Sequence, residues 1–278
     1  MFLKIERIYL VIQKYFPFLP NSPASKIGLS DAINKKRSEE AKNLIEDEDI
    51  KKTFEFYIKN HKNIQDNQGI YKVLFLLQCI KETENLEGNI IELGSWKAGN
   101  AILMAKFLKQ IKSKKKIFAC DTFEGIPKND EFVNNSLGQG LFSDANIEEI
   151  SSKIKAYELD DSICLVKGSF ENTLKNLSDE KFSLVFLDCN IYDSAKFAIN
   201  FAYPRLRPDG IFISHCYGAK KDSNSFWGET VAVDEYLSSK LEHIIIDSLP
   251  FFQKGNKISK IKNKQLKDRF STYQKPQK

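Results

Sequence analysis

The feature that most constrains the fold of this chain is an alternation of short apolar strands and amphipathic helices in its central part. Continuous apolar runs stand at residues 89–93, 116–121, 162–168, 182–188 and 210–216. Apolar residues at helical spacing fill the intervals 98–112, 147–157 and 195–206. Strands that are apolar throughout are typical of parallel sheets, whose crossover helices cover both faces. The sequence therefore predicts an α/β fold with a mostly parallel sheet.

Two further segments flank this alternation. Ahead of the first strand, a helix is predicted by apolar residues at helical spacing, namely Ile70, Val73, Leu74, Leu77 and Ile80. After the fifth strand, residues 243–250 and 257–262 are separated by a Gly-Asn turn and predict a C-terminal antiparallel hairpin. Together with the hairpin, the predicted sheet has seven strands.

The chain divides into three predicted parts. Residues 1–68 are polar and helix-rich, and we expect a helical N-terminal extension that covers the ligand pocket and excludes water from it. Residues 69–262 contain the sheet and its helices, and they are the predicted ligand-binding domain. Residues 263–278 form a basic tail.

Charge and cysteine usage limit the classes of function. The net charge of +5 comes from the end of the chain, because residues 254–278 carry nine Lys or Arg and one acid. No nucleic-acid motif accompanies this charge, so nucleic-acid binding is not expected. Five separate cysteines without a CxxC pair indicate reduced thiols and a cytoplasmic protein. The amphipathic segment at 1–20 leaves a peripheral membrane contact or a homo-oligomer contact open.

Polar residues stand where each predicted parallel strand ends. Ligands of open α/β sheets bind beyond the carboxyl ends of the strands, so we expect these residues to face one pocket. In strand order they are Glu92 and Gly94, Asp121, Gly168-Ser169-Phe170, Asp188-Cys189-Asn190 and Ser214-His215-Cys216.

The first two strand ends predict S-adenosylmethionine as the cofactor. Gly94 allows a tight turn, and the helix after it offers free N–H groups to a carboxylate. Trp96 stands where a dinucleotide motif needs its second glycine. Glu92 suits the positive amino-acid end of a ligand, and Asp121 can accept both ribose hydroxyl hydrogens. A nucleoside that carries an amino acid fits this pair of acids.

Longer motifs between residues 68 and 253 resemble the macrocin O-methyltransferase family. They include IIELGSWKAGNAILMA, CDTFEGIP, LVKGSFENTL, VFLDCNIYDSAKFAINFAYPRLRPDGIFI and AVDEYL, in the order and spacing of that family. The resemblance implies a Rossmann-like class I methyltransferase fold and S-adenosylmethionine-dependent methylation of a sugar hydroxyl. The cofactor contacts that it implies are Glu92, Gly94, Ser95, Asp121, Thr122 and, beside the adenine, Gly168, Ser169 and Phe170.

The acceptor site departs from the family pattern. That pattern has an LDxD segment after strand four and paired acids after strand five. The first LDxD acid and the paired acids hold a magnesium-type ion, and the second LDxD acid accepts the hydroxyl proton. This chain keeps Asp188, but Asn190 stands in place of the second acid, and His215-Cys216 replace the paired acids. We therefore expect no magnesium site.

Three interpretations of His215 and Cys216 stay open. His215 can act as general base, with Asp188 beside it and Asn190 holding the acceptor hydroxyl. Alternatively, Asp188, His215 and Cys216 can ligate a soft ion such as zinc, although adjacent residues of a strand point to opposite sides. A Cys216 nucleophile is the third, but methyl transfer to oxygen needs no covalent intermediate. The catalytic candidates are His215, Asp188 and Asn190.

The sequence thus predicts an S-adenosylmethionine-dependent O-methyltransferase that acts on a hydroxyl of a sugar or glycan-like acceptor, without the magnesium site of its relatives. The alternative is a protein of the same fold that binds the cofactor, has lost methyl transfer and has an assembly or regulatory role. Replacement of the acceptor-site acids beside intact cofactor motifs fits both hypotheses.

Overall fold

A computed structural model of the chain describes residue 42 and residues 45–64, 70–126, 140–217, 228–237, 244–246 and 249–253. All of the predicted parallel strands lie within these ranges. Most of the predicted N-terminal extension, the predicted hairpin arm at 257–262 and the tail at 263–278 lie outside the described residues.

Short apolar strands pair into one sheet, as their uninterrupted hydrophobic character predicts. The strands are β1 Asn89–Leu93, β2 Ile117–Asp121, β3 Ile163–Lys167, β4 Phe182–Leu187, β5 Leu206–Ser214, β6 Ile244–Ile246 and β7 Leu249–Gln253. Their order in the sheet is β3-β2-β1-β4-β5-β7-β6. β1 to β5 pair in parallel, which confirms the predicted parallel sheet. Because the order reverses between β1 and β4, a crevice opens at the carboxyl ends of these two strands.

The two last strands are antiparallel, but their position differs from the predicted one. The prediction of a single strand over 243–250 is wrong, because β6 and β7 both begin within that segment and pair with each other. The polar residues Asp247 and Ser248 separate the two apolar runs in the sequence. β7 also pairs with β5 through residues 251–253. Pro250 lies outside that ladder, so its missing N–H costs no bond to β5.

Helices cover both faces of the sheet. They are α1 Glu48–Ile64, α2 Ile70–Glu82, α3 Gly99–Gln110, α4 Ile147–Ala156, α5 Phe170–Thr173, α6 Tyr192–Ala202 and α7 Gly228–Leu237. No described helix combines the length and the apolar character that a bilayer span requires.

Side chains alternate along the strands and so create two hydrophobic cores. Ile90 of β1 packs with residues of α1 to α4, whereas Ile91 packs with residues of α5 to α7. Glu92 follows Ile91 and therefore projects to the same face as Ile90. Helix α1, which belongs to the predicted extension, buries Phe54 and Tyr57 in that same first core. The carboxylate of Glu92 is thus placed on the face that α1 to α4 cover.

Gly94 controls how closely β1 approaches the end of β4. Its φ is +98°, and a methyl group on its Cα would collide with the carbonyl oxygen of Asp188. The neighbouring backbone is hydrogen-bonded, since Asp188 N donates to Leu93 O over 2.8 Å and Gly94 N donates to Cys120 O over 2.9 Å. Glycine therefore lets three strand ends lie side by side at the predicted pocket.

We expect Gly94→Ala to lower the free energy of unfolding by about 2–5 kcal/mol, since left-handed strain and overlap with backbone atoms add. Gly140→Ala is the matched control, because Gly140 has a φ of +84° and, chain neighbours aside, no atom of the described residues lies within 4 Å of the added carbon. The control should lose only about 1–2 kcal/mol, from strain alone. Denaturant unfolding followed by circular dichroism measures both, and equal losses would contradict the close approach at Gly94.

Candidate active site

The ends of β4 and β5 bring four of the predicted residues into contact. Leu187 pairs with Ser214 in the parallel ladder, so the residues that follow each strand lie opposite one another. Hydrogen bonds among their side chains then connect the group, which consists of Asp188, Asn190, His215 and Cys216. We call these four residues the acceptor-end cluster.

His215 lies between a carboxylate and an ammonium group. Its Nδ1 is 2.9 Å from Asp188 Oδ1, and its Nε2 is 2.9 Å from Lys72 Nζ on α2. An ionised carboxylate only accepts, so we infer that Nδ1 carries the ring hydrogen and donates it to Asp188. An ammonium group only donates, so Nε2 accepts from Lys72. The three residues form a continuous chain of hydrogen bonds.

The charged groups along this series of hydrogen bonds shift one another's pKa values. Burial alone raises the pKa of Asp188, but the contact with His215 and the charge of Lys72 outweigh it and lower that pKa below its ordinary value. Burial lowers the pKa of Lys72, while the nearby carboxylates of Asp188 and Glu229 oppose this effect. The side chains of His215 and Asp188 are 15% and 19% exposed, so a small ligand can still reach them.

Cys216 faces the same cluster as His215. Its Sγ lies 2.8 Å from Asn190 Oδ1, 3.2 Å from Asp188 Oδ1 and 3.7 Å from His215 Nδ1. The expectation that adjacent side chains diverge is wrong here, because β5 ends at Ser214 and the strand alternation ends with it. Burial and nearby carboxylates raise the pKa of the Cys216 thiol well above its ordinary value, which disfavours the thiolate that a nucleophile needs.

Glu229 holds the two strand ends together. One carboxylate oxygen accepts from Ser214 Oγ over 2.5 Å and Cys216 N over 3.1 Å. The other accepts from Cys189 N over 3.0 Å and Asn190 N over 3.3 Å. Burial raises the pKa of this carboxyl to about 7, although its hydrogen bonds act in the opposite direction. The carboxylate thus fixes the backbone on both sides of the acceptor-end cluster.

Glu92 is a buried carboxylate that is 0% exposed. Neither of its oxygens has a hydrogen-bond partner among the residues that the structure describes. Burial raises its pKa to about 8, and the polar side chains of Ser95 and Asn100 lie near enough to oppose this without meeting hydrogen-bond geometry. Ser95 Oγ and Asn100 Oδ1 are likewise buried without a partner. Buried polar groups are normally bonded, so these three residues define a place where a polar ligand fits.

Asp121, the last residue of β2, fixes the loops beside Glu92 through hydrogen bonds to their backbone. Asp121 accepts from Trp96 N and from Phe123 N, each over 2.8 Å. Each carboxylate oxygen has a second lone pair, so Asp121 retains acceptor capacity for a ligand. Thr122 Oγ1 donates to Gly125 O over 3.0 Å and closes the turn after β2.

The third strand end joins this region through its backbone. Gly168 N donates to Asp121 O over 2.9 Å, and Gly168 has a φ of +136°. Phe170 begins α5 and is 7% exposed, with its ring in the second hydrophobic core. Gly168 and Ser169 are therefore the more exposed part of this turn.

Three residues that contribute to the site were not predicted from the sequence: Lys72, Asn100 and Glu229. Lys72 interrupts the apolar run IYKVLFLL, and Glu229 opens the apolar segment GETVAV. A charge inside an apolar helix was the available signal, because such a charge needs a buried partner. Only the packing of α2 and α7 against the strand ends shows which partner each one has.

The acceptor-end cluster contains a group of potential metal ligands. Asp188, His215 and Cys216 each offer one ligand atom, and these atoms lie within 4.8 Å of one another. The combination of imidazole, thiol and a single carboxylate matches a soft ion better than magnesium.

Comparison with known proteins supports the methyltransferase resemblance. The model of the macrocin O-methyltransferase family matches residues 69–253. A tetracenomycin rhamnosyl 4'-O-methyltransferase from Streptomyces olivaceus is 24% identical over 160 residues, covering 54% of this chain and 61% of that protein. Demethyldecarbamoylnovobiocin O-methyltransferase from Streptomyces niveus is 23% identical over 159 residues, with the same coverages of 54% and 61%. The matched region thus spans about three-fifths of the length of these two relatives.

Solved structures share the fold. The O-methyltransferase NovP superposes with a TM-score of 0.58 at 23% identity, covering 68% of this chain and 82% of NovP. The calicheamicin methyltransferase CalS11 superposes with a TM-score of 0.60 at 16% identity, covering 83% of this chain and 95% of CalS11. Because the family model matches most of the chain and the sheet has the predicted parallel architecture, this protein belongs to the macrocin O-methyltransferase family.

Proposed function

We propose that this protein is an S-adenosylmethionine-dependent O-methyltransferase that acts on a hydroxyl of a sugar or glycan-like acceptor. The observation that carries the proposal is the pairing of two sites at one edge of the sheet. One is the buried, unbonded carboxylate of Glu92, and the other is the acceptor-end cluster. Asp188 N donates to Leu93 O over 2.8 Å, so the strand ends that carry the two sites lie side by side.

The residues around Glu92 fit S-adenosylmethionine. The amino group of the cofactor would satisfy the Glu92 carboxylate and supply the positive charge that its buried position needs. Gly94 and Ser95 follow β1 at the start of the loop to α3, where backbone N–H groups can bind the cofactor carboxylate. Ser95 Oγ, buried without a partner, adds a further polar group there.

The nucleoside end of the cofactor would lie across the next two strand ends. Asp121 keeps free lone pairs for the ribose hydroxyls, and the loop that contains Thr122 adjoins it. The turn of Gly168, Ser169 and Phe170 would border the adenine. The hydrogen bond from Gly168 N to Asp121 O supports this assignment, because it holds the two strand ends side by side.

The acceptor-end cluster supplies the proton chemistry. S-adenosylmethionine provides a methyl group on a sulfonium, which is already an activated donor. Asp188 orients His215 through Nδ1, so the Nε2 lone pair can accept the proton of an acceptor hydroxyl that takes the place of the Lys72 N–H. Asn190 would hold that hydroxyl with its amide group. Alignment of the hydroxyl oxygen with the donor would provide most of the rate enhancement.

The names of the relatives support a sugar hydroxyl as the acceptor. One curated relative methylates a rhamnosyl group of a tetracenomycin, and CalS11 is described as a TDP-rhamnose 3'-O-methyltransferase. We extend only the acceptor class to this chain, since the matched region covers part of the curated relatives.

Glu92→Gln should remove a pH dependence of stability. The pKa of Glu92 rises from 4.5 in the unfolded chain to about 8 in the ligand-free fold. The folded state therefore binds a proton that the unfolded state releases, and stability falls as pH rises from about 4.5 to about 8. For this carboxyl alone the loss is about 2–5 kcal/mol.

Urea unfolding of both proteins between pH 5 and pH 8.5 measures this effect. The variant should gain stability relative to the wild type by about the same 2–5 kcal/mol across the series. Glu158→Gln is the control, because Glu158 lies on the surface and pairs with Lys109. A difference between variant and wild type that does not change with pH would contradict an uncompensated Glu92.

Glu92→Gln and Asp121→Asn should each weaken binding of S-adenosylhomocysteine about 10- to 100-fold, the effect of one lost charged hydrogen bond. Titration calorimetry at pH 7.5 measures the affinity, and Glu158→Gln should stay within about 2-fold of the wild type. Wild-type affinity in both site variants would show that the cofactor does not bind at these strand ends.

His215→Gln should lower kcat for methyl transfer about 10²- to 10⁴-fold, the usual contribution of a general base, and leave cofactor affinity unchanged. The assay follows S-adenosylhomocysteine release with a panel of rhamnosides and other glycosides. His61→Gln is the control, because His61 is exposed on α1. An unchanged rate in His215→Gln would exclude it as the base. Tight cofactor binding by the wild type with no transfer to any acceptor would favour the non-catalytic alternative.

A further inference from the structure

The acceptor-end cluster does not fit the magnesium-type ion of the family pattern. Magnesium takes six oxygen ligands in a near-octahedral arrangement. Asp188 is the single carboxylate of the cluster, and its Oδ1 already faces both His215 Nδ1 and Cys216 Sγ. Asn190 Oδ1 faces Cys216 Sγ as well. Both Oδ1 atoms are thus engaged within the cluster, and the remaining carboxylate oxygen of Asp188 is far short of the six oxygen ligands that magnesium takes.

Lys72 also disfavours the binding of a soft metal ion to the acceptor-end cluster. A neutral imidazole that binds a metal through Nδ1 carries its hydrogen on Nε2. That hydrogen would point at Lys72 Nζ, which lies 2.9 Å from Nε2 and carries only donor hydrogens when charged. The arrangement that satisfies every group has Nδ1–H donating to Asp188 and Lys72 donating to Nε2. Lys72 and a metal on His215 Nδ1 therefore exclude each other.

Lys72 brings a positive charge to the part of the pocket where acids accumulate. The carboxylates of Asp188 and Glu229 favour the charged form of its ammonium group and so oppose the loss of pKa that burial causes. The carboxylate of Asp188 also raises the pKa of Glu92. Its Nζ reaches the one ring nitrogen of His215 that can accept a proton. Nε2 has a single lone pair, so an acceptor hydroxyl that donates to it must take the place of the Lys72 N–H, and its oxygen then lies within hydrogen-bond reach of Lys72 Nζ.

We propose that the Lys72 ammonium group takes the electrostatic part of a divalent ion in this protein, and that it binds the acceptor oxygen during methyl transfer. The inference rests on the proposed function. In the step itself, the acceptor O–H bond breaks and its proton goes to His215 Nε2. An oxygen lone pair forms the new O–CH₃ bond while the S–CH₃ bond of the donor breaks. Lys72 stays protonated and donates to the oxygen as negative charge develops on it.

The test compares Lys72→Met, which keeps an unbranched side chain without the terminal charged group, with Lys72→Arg, which keeps the charge. Lys52→Met is the control, since Lys52 is exposed on α1. Methyl transfer to the glycoside panel is measured in EDTA and in magnesium. We expect the wild type to be equally active in both, Lys72→Met to lose about 10²- to 10³-fold in kcat, and Lys72→Arg to recover part of that loss. KM for the acceptor and affinity for S-adenosylhomocysteine should change less than about 3-fold in Lys72→Met, which separates this role from a structural one.

Zinc titration gives a second readout that needs no turnover. Calorimetry should show no saturable zinc or magnesium binding to the wild type. Lys72→Met should gain a zinc site, because Nε2–H no longer faces an ammonium group, and Lys72→Met/Cys216→Ser should lose it again.

Three results would overturn the inference: full activity of Lys72→Met, wild-type activity that EDTA abolishes and a divalent ion restores, or saturable metal binding to the wild type that Cys216→Ser removes. A wild type that transfers no methyl group to any acceptor contradicts the proposed function instead. In that case the zinc titration still decides whether Lys72 excludes a metal from the cluster.

Discussion

The arrangement of the site depends on one buried carboxylate, that of Glu229, which accepts hydrogen bonds from both strand ends that form the acceptor-end cluster. The parallel ladder of β4 and β5 stops at Leu187 and Ser214. Asp188 N and His215 N still donate to Leu93 O and Leu187 O, but the next N–H groups, those of Cys189 and Cys216, donate to Glu229 instead. By binding the amide groups of Cys189 and Cys216, Glu229 supplies their hydrogen-bond partner from α7. The same contacts keep Asp188, His215 and Cys216 within hydrogen-bond distance, so a helix far along the chain sets the geometry of the chemistry.

Charge balance explains why this pocket differs from the family pattern. Glu92, Asp188 and Glu229 are acids in one region of low solvent access, and such a group is stable only with compensating positive charge or protons. Within the described part of the chain Glu92 has no hydrogen-bond partner, which fits the cationic ligand that we propose for it. Asp188 instead has His215 and Lys72. The replacement of the paired acids by His215-Cys216 and the presence of Lys72 are thus compatible changes, because together they remove negative charge and add a cation.

The sequence allowed much of the fold, and the grouping of polar residues at neighbouring strand ends, to be predicted. Strands β1 to β5 lie within two residues of the predicted positions at nearly every boundary, since uninterrupted apolar runs and helical spacing are local signals. The start of β5 is an exception, because Leu206 pairs with Phe182 across an irregular register. The last two strands were misplaced, because pairing of Phe251 with Ile213 is a contact between distant segments. His215 and Cys216 do not point to opposite sides as predicted, because β5 ends at Ser214 and the alternation of a strand does not extend to them.

The sequence by itself determined the class of fold, the polar residues at the strand ends and the substitutions at Asn190, His215 and Cys216, because strand ends and motif positions are readable along the chain. Only the tertiary structure decided that Lys72 contacts His215, that Glu229 binds both strand ends and that Glu92 is buried without a partner. These contacts join residues 143, 40 and 15 positions apart or depend on the absence of a neighbour. The physical reason is that a charge takes its partner from the packing of helices on the sheet, and sequence spacing does not fix that packing.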